Sequence, residues 1–258
     1  MTKICSVRTI SKRDSVMAAL QERPDNLIQD DELKEANAQQ AQVAIQNKLP
    51  APAMALVIKK LWKPGRTIRI AFLGSPDTKV KEKIINHANE WLNYANLVFD
   101  FVEGTEGDIR ISTEQNKGSW SYVGTDALRV PASEATMNFG WLTPDTDDAE
   151  YSRVVLHEFG HALGAEHEHQ HPFSGIPWNK EKVYEYYKRT NDWDQASTDN
   201  NIFAKYSIDQ VNTTGYDKTS IMHYAIDGSL TDNKLSTPWN NGLSDKDMDL
   251  MRKCYPKT

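Results

Sequence analysis

The run His157-Glu158-Phe159-Gly160-His161-Ala162-Leu163-Gly164-Ala165-Glu166-His167 constrains this chain more than any other part of it. Residues four apart on an α-helix lie one above the other, so His157 and His161 would project side by side and could grip one cation. Glu158, one position on, can reach a water beside that cation without binding the cation itself. Gly164 accepts a positive φ that other residues resist, so the helix can stop there and the chain can turn sharply. That turn would bring His167 round as a third imidazole. Three protein nitrogens with a fourth position left for water describe a catalytic zinc, whereas a structural zinc is closed by four protein ligands. His-Glu-x-x-His alone arises by chance in some chains; the added glycine and third histidine at fixed offsets make the longer run far more specific.

These residue types also set the expected chemistry. Beside a zinc-activated water, Glu158 would take the proton during attack on a carbonyl carbon and pass it to the leaving amine. The remaining need is a donor for the tetrahedral oxyanion. Ser220-Ile221-Met222-His223-Tyr224 supplies a candidate in Tyr224, because a neutral phenol donates a hydrogen bond and its oxygen can also approach a metal. His223 is expected to face away from the ligand set.

At these motifs the chain resembles a known family. The extended histidine motif followed by a Met-containing turn resembles the metzincins, and Ser-x-Met-His-Tyr resembles their astacin branch in particular. Glu168 and His169 complete the His-Glu-His of astacins, Gly118 to Gly124 resembles their Trp-Ser-Tyr-Val-Gly segment, and Leu61-Trp62, Gly65 and Thr67 to Phe72 resemble the start of the mature domain. The resemblance covers residues 55 to 258. It implies an α+β zincin fold, with a mixed twisted sheet and long helices in an upper lobe, an irregular lower lobe and a zinc cleft between them. It implies one zinc per chain on His157, His161 and His167, with Glu158 and Tyr224 catalytic and Met222 as a hydrophobic floor that does not coordinate. The activity implied is hydrolysis of internal peptide bonds in protein or peptide substrates. In mature astacins the acid equivalent to Glu168 binds the freed N-terminal ammonium.

The chain departs from the family in two places. Astacins commonly carry two disulfides, whereas this chain has only Cys5 and Cys254; whether those two pair cannot be read from spacing. The Phe-x-Gly-Asp motif of astacin pro-segments is missing. Cys5 sits in Lys3 to Arg8, which does not match the thiolate-bearing motif of matrix metalloproteases, so a thiol blocking the metal is not expected.

Residues 1–54 form a separate N-terminal segment, either a removable pro-segment or an arm that stays packed on the body, and residues 55–258 form the catalytic domain. Between Arg23 and Lys48 the segment is dominated by Ala, Gln, Asn, Asp and Glu. Ala36 to Gln46 would make a weak polar helix, which Pro50-Ala51-Pro52 breaks. With 39% hydrophobic and 26% charged residues the composition is that of a soluble globular protein, and the net charge of −6 argues against nucleic-acid or membrane-surface binding. No apolar run suits a membrane span. Met1 to Leu20 carries charges and no apolar stretch of a secretory signal, so a cytoplasmic location or non-classical export is expected, for a monomer.

Thr67 to Leu73 reads as a strand with Ile68, Ile70 and Phe72 on one face. Lys79 to Asn96 reads as an amphipathic helix, and Val98 to Val102 and Asp108 to Ser112 as further strands. Ala135 to Trp141 is expected to border the cleft and pair with extended substrate, as the family does. Asp145 to Glu150 is acidic and is expected to cap the zinc helix rather than to bind calcium. Val183 to Arg189 is expected to be helical, Asn191 to Asn201 a loop, and Ser244 to Cys254 a closing helix with Asp247 at the capping-box position. His169 and His171 fit a polar loop better than a second metal site, with His169 a candidate to orient the ligands. Two rival functions are a zinc-stabilised binding module without catalysis and a protease toxin or effector with one target. Glu158 and Tyr224 argue against the first, which has no use for either.

Overall fold

The computed structural model describes residues 5–26, 59–206 and 215–257. The strands are β1 (Cys5–Arg8), β2 (Thr67–Phe72), β3 (Val98–Val102), β4 (Ile109–Ser112), β5 (Ser119–Tyr122) and β6 (Met137–Asn138). They form one sheet in the order β1-β5-β6-β4-β2-β3. Of these strands only β5 and β6 pair antiparallel; the other neighbours are parallel. The sheet is therefore mixed, and with the helices below it gives the α+β architecture that the sequence implied.

Alternation explains β2, where Ile68 and Ile70 are fully buried and Arg69 between them faces out. Helix α1 (Lys12–Glu22) belongs to the N-terminal segment, and α2 (Thr78–Ala88) follows β2. The Asp77 side chain caps α2 by accepting from the Lys79 N–H, and Val80, Ile84 and Ala88 form its buried stripe. The helix expected over residues 79–96 stops at Ala88 and tightens into a 3₁₀ turn over Asn89–Asn93, which sinks Trp91 into the core. Helix α3 (Asp148–Ala162) crosses beneath the sheet and is buried from Val154 to Ala162. Asp147 stands at its N-cap, without a side-chain capping bond.

Beyond His167 regular structure thins out. Helix α4 (Lys180–Asn191) ends at Asp192 in the left-handed region, and the expected loop over 191–201 instead contains α5 (Gln195–Thr198) running into a π-turn over Asp199–Phe203. Val183, Tyr187, Ile202, Tyr224 and Leu230 make a small core of their own. The chain closes with α6 (Asp245–Cys254), where Ser244 and Asp247 form a reciprocal capping box. No described helix is long and apolar enough to cross a membrane.

The strand expected over Ala135 to Trp141 to border the cleft is corrected by the sheet order. Only Met137–Asn138 is a strand, and it lies inside the sheet between β4 and β5. The strand beside the cleft is β5, and its outer edge is taken by β1 in parallel register. Helix α1 packs its small residues Ser15, Ala18 and Ala19 on the turn at Gly124–Arg129. Buried Asp126 accepts from Ser15 Oγ at 2.5 Å and from Lys60 Nζ at 2.7 Å. Asn26 then ties the segment to the body: its amide nitrogen donates to the carbonyls of Ala19 and Leu61, and its amide oxygen accepts from Leu61 N–H. Cys5 and Cys254 are both buried, and no disulfide joins them. The expected helix at Ala36 to Gln46 and the Pro50-Ala51-Pro52 break lie outside the described residues.

Candidate metal centre and active site

The end of α3 sets the site. A helix leaves its last carbonyls without partners, and here large side chains supply them. Trp62 Nε1 donates to Ala162 O at 2.7 Å, and the Tyr255 hydroxyl donates to Leu163 O at 2.7 Å. Gly164 adopts φ 94°, and the reversed chain is closed by Ala165 N–H to Gly160 O at 2.9 Å. His167 is thereby carried back over the helix face that bears His157 and His161.

One nitrogen from each of His157, His161 and His167 lies within 4.8 Å of the others, and all three rings are buried. His157 Nδ1 donates to Ile221 O and His161 Nδ1 to Ala165 O, both at 2.8 Å. Those bonds fix the tautomer and turn each Nε2 lone pair inward. Nε2 of His157 has no partner, and Nε2 of His161 and of His167 are 3.0 Å apart. Burial, before any neighbouring charge, holds His157 and His167 well below the ordinary imidazole pKa and lowers His161 to about 4. Three neutral, converging lone pairs fit a zinc ion.

Glu158 is fully buried beside this triad, and neither carboxylate oxygen has a hydrogen bond of good geometry. Burial raises its pKa to about 8, against the opposing influence of Cys5 and Arg153. Met222 lies under the helix: a Cβ on Gly160 would come within 2.4 Å of its sulfur, so only glycine permits this approach. The turn is braced by Asp247, which accepts from Ser220 Oγ at 2.6 Å and Ile221 N–H at 2.8 Å. Sequence reasoning gives Asp247 a capping role alone; its second role depends on a contact between distant segments.

Tyr224 is buried, with its ring 4.4 Å from that of His167 and stacked on that of His169. His169 donates from Nε2 to Asn201 O at 2.8 Å and stands outside the converging triad. His223 turns away, between the Tyr224 carbonyl and the Tyr216 hydroxyl. His171 is buried and accepts from Phe173 N–H. Glu168 accepts from Asp217 N–H at 2.6 Å, and burial pushes its pKa up to about 7.

Cys5 is the residue that sequence reasoning sets aside and the structure brings in. Its carbonyl accepts a hydrogen bond from the Tyr224 hydroxyl. Its buried thiol neighbours both Glu158 and Arg153. Sequence reasoning also misses Arg153, whose guanidinium is gripped by Glu150 at 2.7 and 2.8 Å and faces the Trp239 ring at 4.3 Å. The surroundings of Cys5 lack a known motif because the register that delivers it comes from β1 pairing with β5, which local sequence does not encode.

Residues 55–255 match the family model of the astacin peptidases. Among solved structures the chain is similar to myroilysin, with a TM-score of 0.75 and 46% identity over 77% of this chain and 97% of that one. A second structure of myroilysin gives 0.62 and 47% over 77% and 86%. High choriolytic enzyme 1, a hatching-enzyme zinc-protease from Oryzias latipes (medaka fish), shares the fold with a TM-score of 0.51 and 19% identity over 75% and 92%. No curated protein matches the chain.

Proposed function

This chain belongs to the astacin family of peptidases and is a zinc endopeptidase; we propose that His157, His161 and His167 hold its zinc, that Glu158 is general base and acid, and that Tyr224 serves the oxyanion. The observation that carries this assignment is the convergence of three neutral imidazoles on one point beside an unpartnered, buried carboxylate. A bound zinc would supply Lewis acidity and bring the pKa of water at the site to about 7. Glu158 takes the proton from the attacking water and delivers it to the departing amine. The Tyr224 phenol, neutral at any working pH, donates to the developing oxyanion. Its bond to the Cys5 carbonyl supports this role, since a peptide carbonyl already lies within its reach.

Residues 1–54 act as an inhibitory pro-segment. Support comes from where Cys5 lies, with its carbonyl on Tyr224 and its thiol beside Glu158, so that substrate and arm compete for the same two groups. The enzyme works as a monomer on extended polypeptides laid along β5 after the arm has left. Glu158→Gln tests the catalytic assignment. Casein hydrolysis should fall by roughly 10²–10⁴-fold, the usual worth of a general base, with zinc still near one per chain. Full activity in that variant would overturn the role of Glu158.

A further inference from the structure

Trp120 has a duty that neither the zinc chemistry nor the core accounts for. It sits on β5 opposite Ser6 of the arm and is only 7% exposed while the arm is docked. The Arg8 guanidinium lies over its ring at 3.5 Å from the centroid. Among the described residues no carboxylate forms an ion pair with Arg8, so the aromatic face itself is what receives the cation. Tryptophan is the best side chain for that contact. The indole N–H of Trp120 is buried without a partner, leaving a donor unspent.

The same ring borders an open cavity of about 690 Å³, lined also by Asn138, Glu114, Glu134 and Lys117. Once Arg8 leaves, two carboxylates and one ammonium remain around the indole, a rim that favours a cation. The distance along the cleft is also suitable. Arg8 is three residues from Cys5, about 10 Å of extended chain, and Cys5 is the residue whose carbonyl meets Tyr224. An extended polypeptide taking the freed edge of β5 would pass Trp120 one residue from its reacting carbonyl, and a long cationic side chain two residues further along could reach back over the ring as Arg8 does.

We propose that Trp120, with Glu114 and Glu134 at its rim, is a specificity subsite for an arginine or lysine side chain of the substrate, which Arg8 fills while the arm is docked. The proposal rests on the peptidase reading above. Its first test is a mass-spectrometric map of the bonds that the zinc-loaded full chain cuts in a peptide library, with wild type, Trp120→Phe and Trp120→Leu. Wild type should enrich Arg and Lys at one fixed position two to four residues from the cut. Phe should keep part of that enrichment and Leu should lose it. Equal enrichment in wild type and Trp120→Leu would overturn the subsite. If none of the three cuts any peptide, even when combined with Arg8→Glu to unseat the arm, the fault lies with the peptidase reading. Amide exchange over residues 5–8 of the full chain then judges the cation contact without turnover. Arg8→Met should exchange about two- to fivefold faster than wild type, matching the loss of one exposed cation–aromatic contact, and Arg8→Lys should not. Equal exchange in Arg8→Met and wild type would count against the proposal.

Discussion

Helix α3 and the N-terminal arm meet in one cleft, yet they are specified in opposite ways. The helix presents His157, Glu158 and His161 through its own repeat, and Gly164 returns His167 within one turn of chain. The arm reaches the same place through contacts between distant residues: Cys5 to Tyr224 across 219 positions, and Ser15 to Asp126 across 111. The comparison teaches that machinery can be written locally while its occupant is written in the fold. It also separates two kinds of fragility. Damage to the helix should destroy the site, whereas damage to the arm should release it.

The largest expected effect is on the helix side. His161→Ala leaves two imidazoles for the metal, and the variant should lose both stoichiometric zinc and measurable casein hydrolysis. Atomic absorption on the purified variant checks the first; retained zinc at one per chain would break the contrast at its strongest point. The arm side should move the other way. Asn26→Ala removes three buried hydrogen bonds, two of which tie the arm to Leu61 of the body. Full-chain activity should rise by about tenfold, near the value of one to two such bonds. A fall in activity with an unchanged melting temperature would mean that the arm helps catalysis instead of restraining it.

A third experiment distinguishes the groups within the cleft by their protons. In the metal-free chain the three imidazoles are held neutral, while burial keeps Glu158 protonated up to about pH 8. Zinc titrated in near neutral pH should therefore expel roughly one proton. Calorimetry in buffers of different ionisation enthalpy reads that number, which should fade as the pH rises through about 8. The stability sign follows from the same group. A carboxyl raised from 4.5 to about 8 contributes stability below the lower value, and that contribution is lost as the pH climbs to the upper one. The metal-free chain should accordingly melt at lower temperature toward pH 8. The smallest effect belongs to the cap of the closing helix. Ser244→Ala removes half of a capping box, costing about 1 kcal/mol, a drop of roughly 2–4 °C in Tm.

Legibility follows the same division. The zinc-helix spacing, the buried alternation of β2 and the Ser244 cap are short-range patterns, and each can be read in the chain. The helix at 79–96 reads too long because apolar spacing continues after Ala88, where the backbone tightens to bury Trp91. Sequence pattern places the cleft strand at 135–141 although β5 holds that position, since strand order depends on pairings that composition does not record. Cys5 and Arg153 stay hidden for a related reason. Their significance comes from what the sheet register and the Met-containing turn bring next to them, and each has ordinary neighbours in sequence.

The two braces that finish the centre, Asp247 beneath Ser220 and Ile221 and Tyr255 on the Leu163 carbonyl, both come from the last dozen residues. A ribosome makes the arm well before these residues. If the arm restrains the enzyme as proposed, the nascent polypeptide carries its restraint well before it owns a finished blade, and a chain broken off ahead of Asp247 would be guarded and blunt.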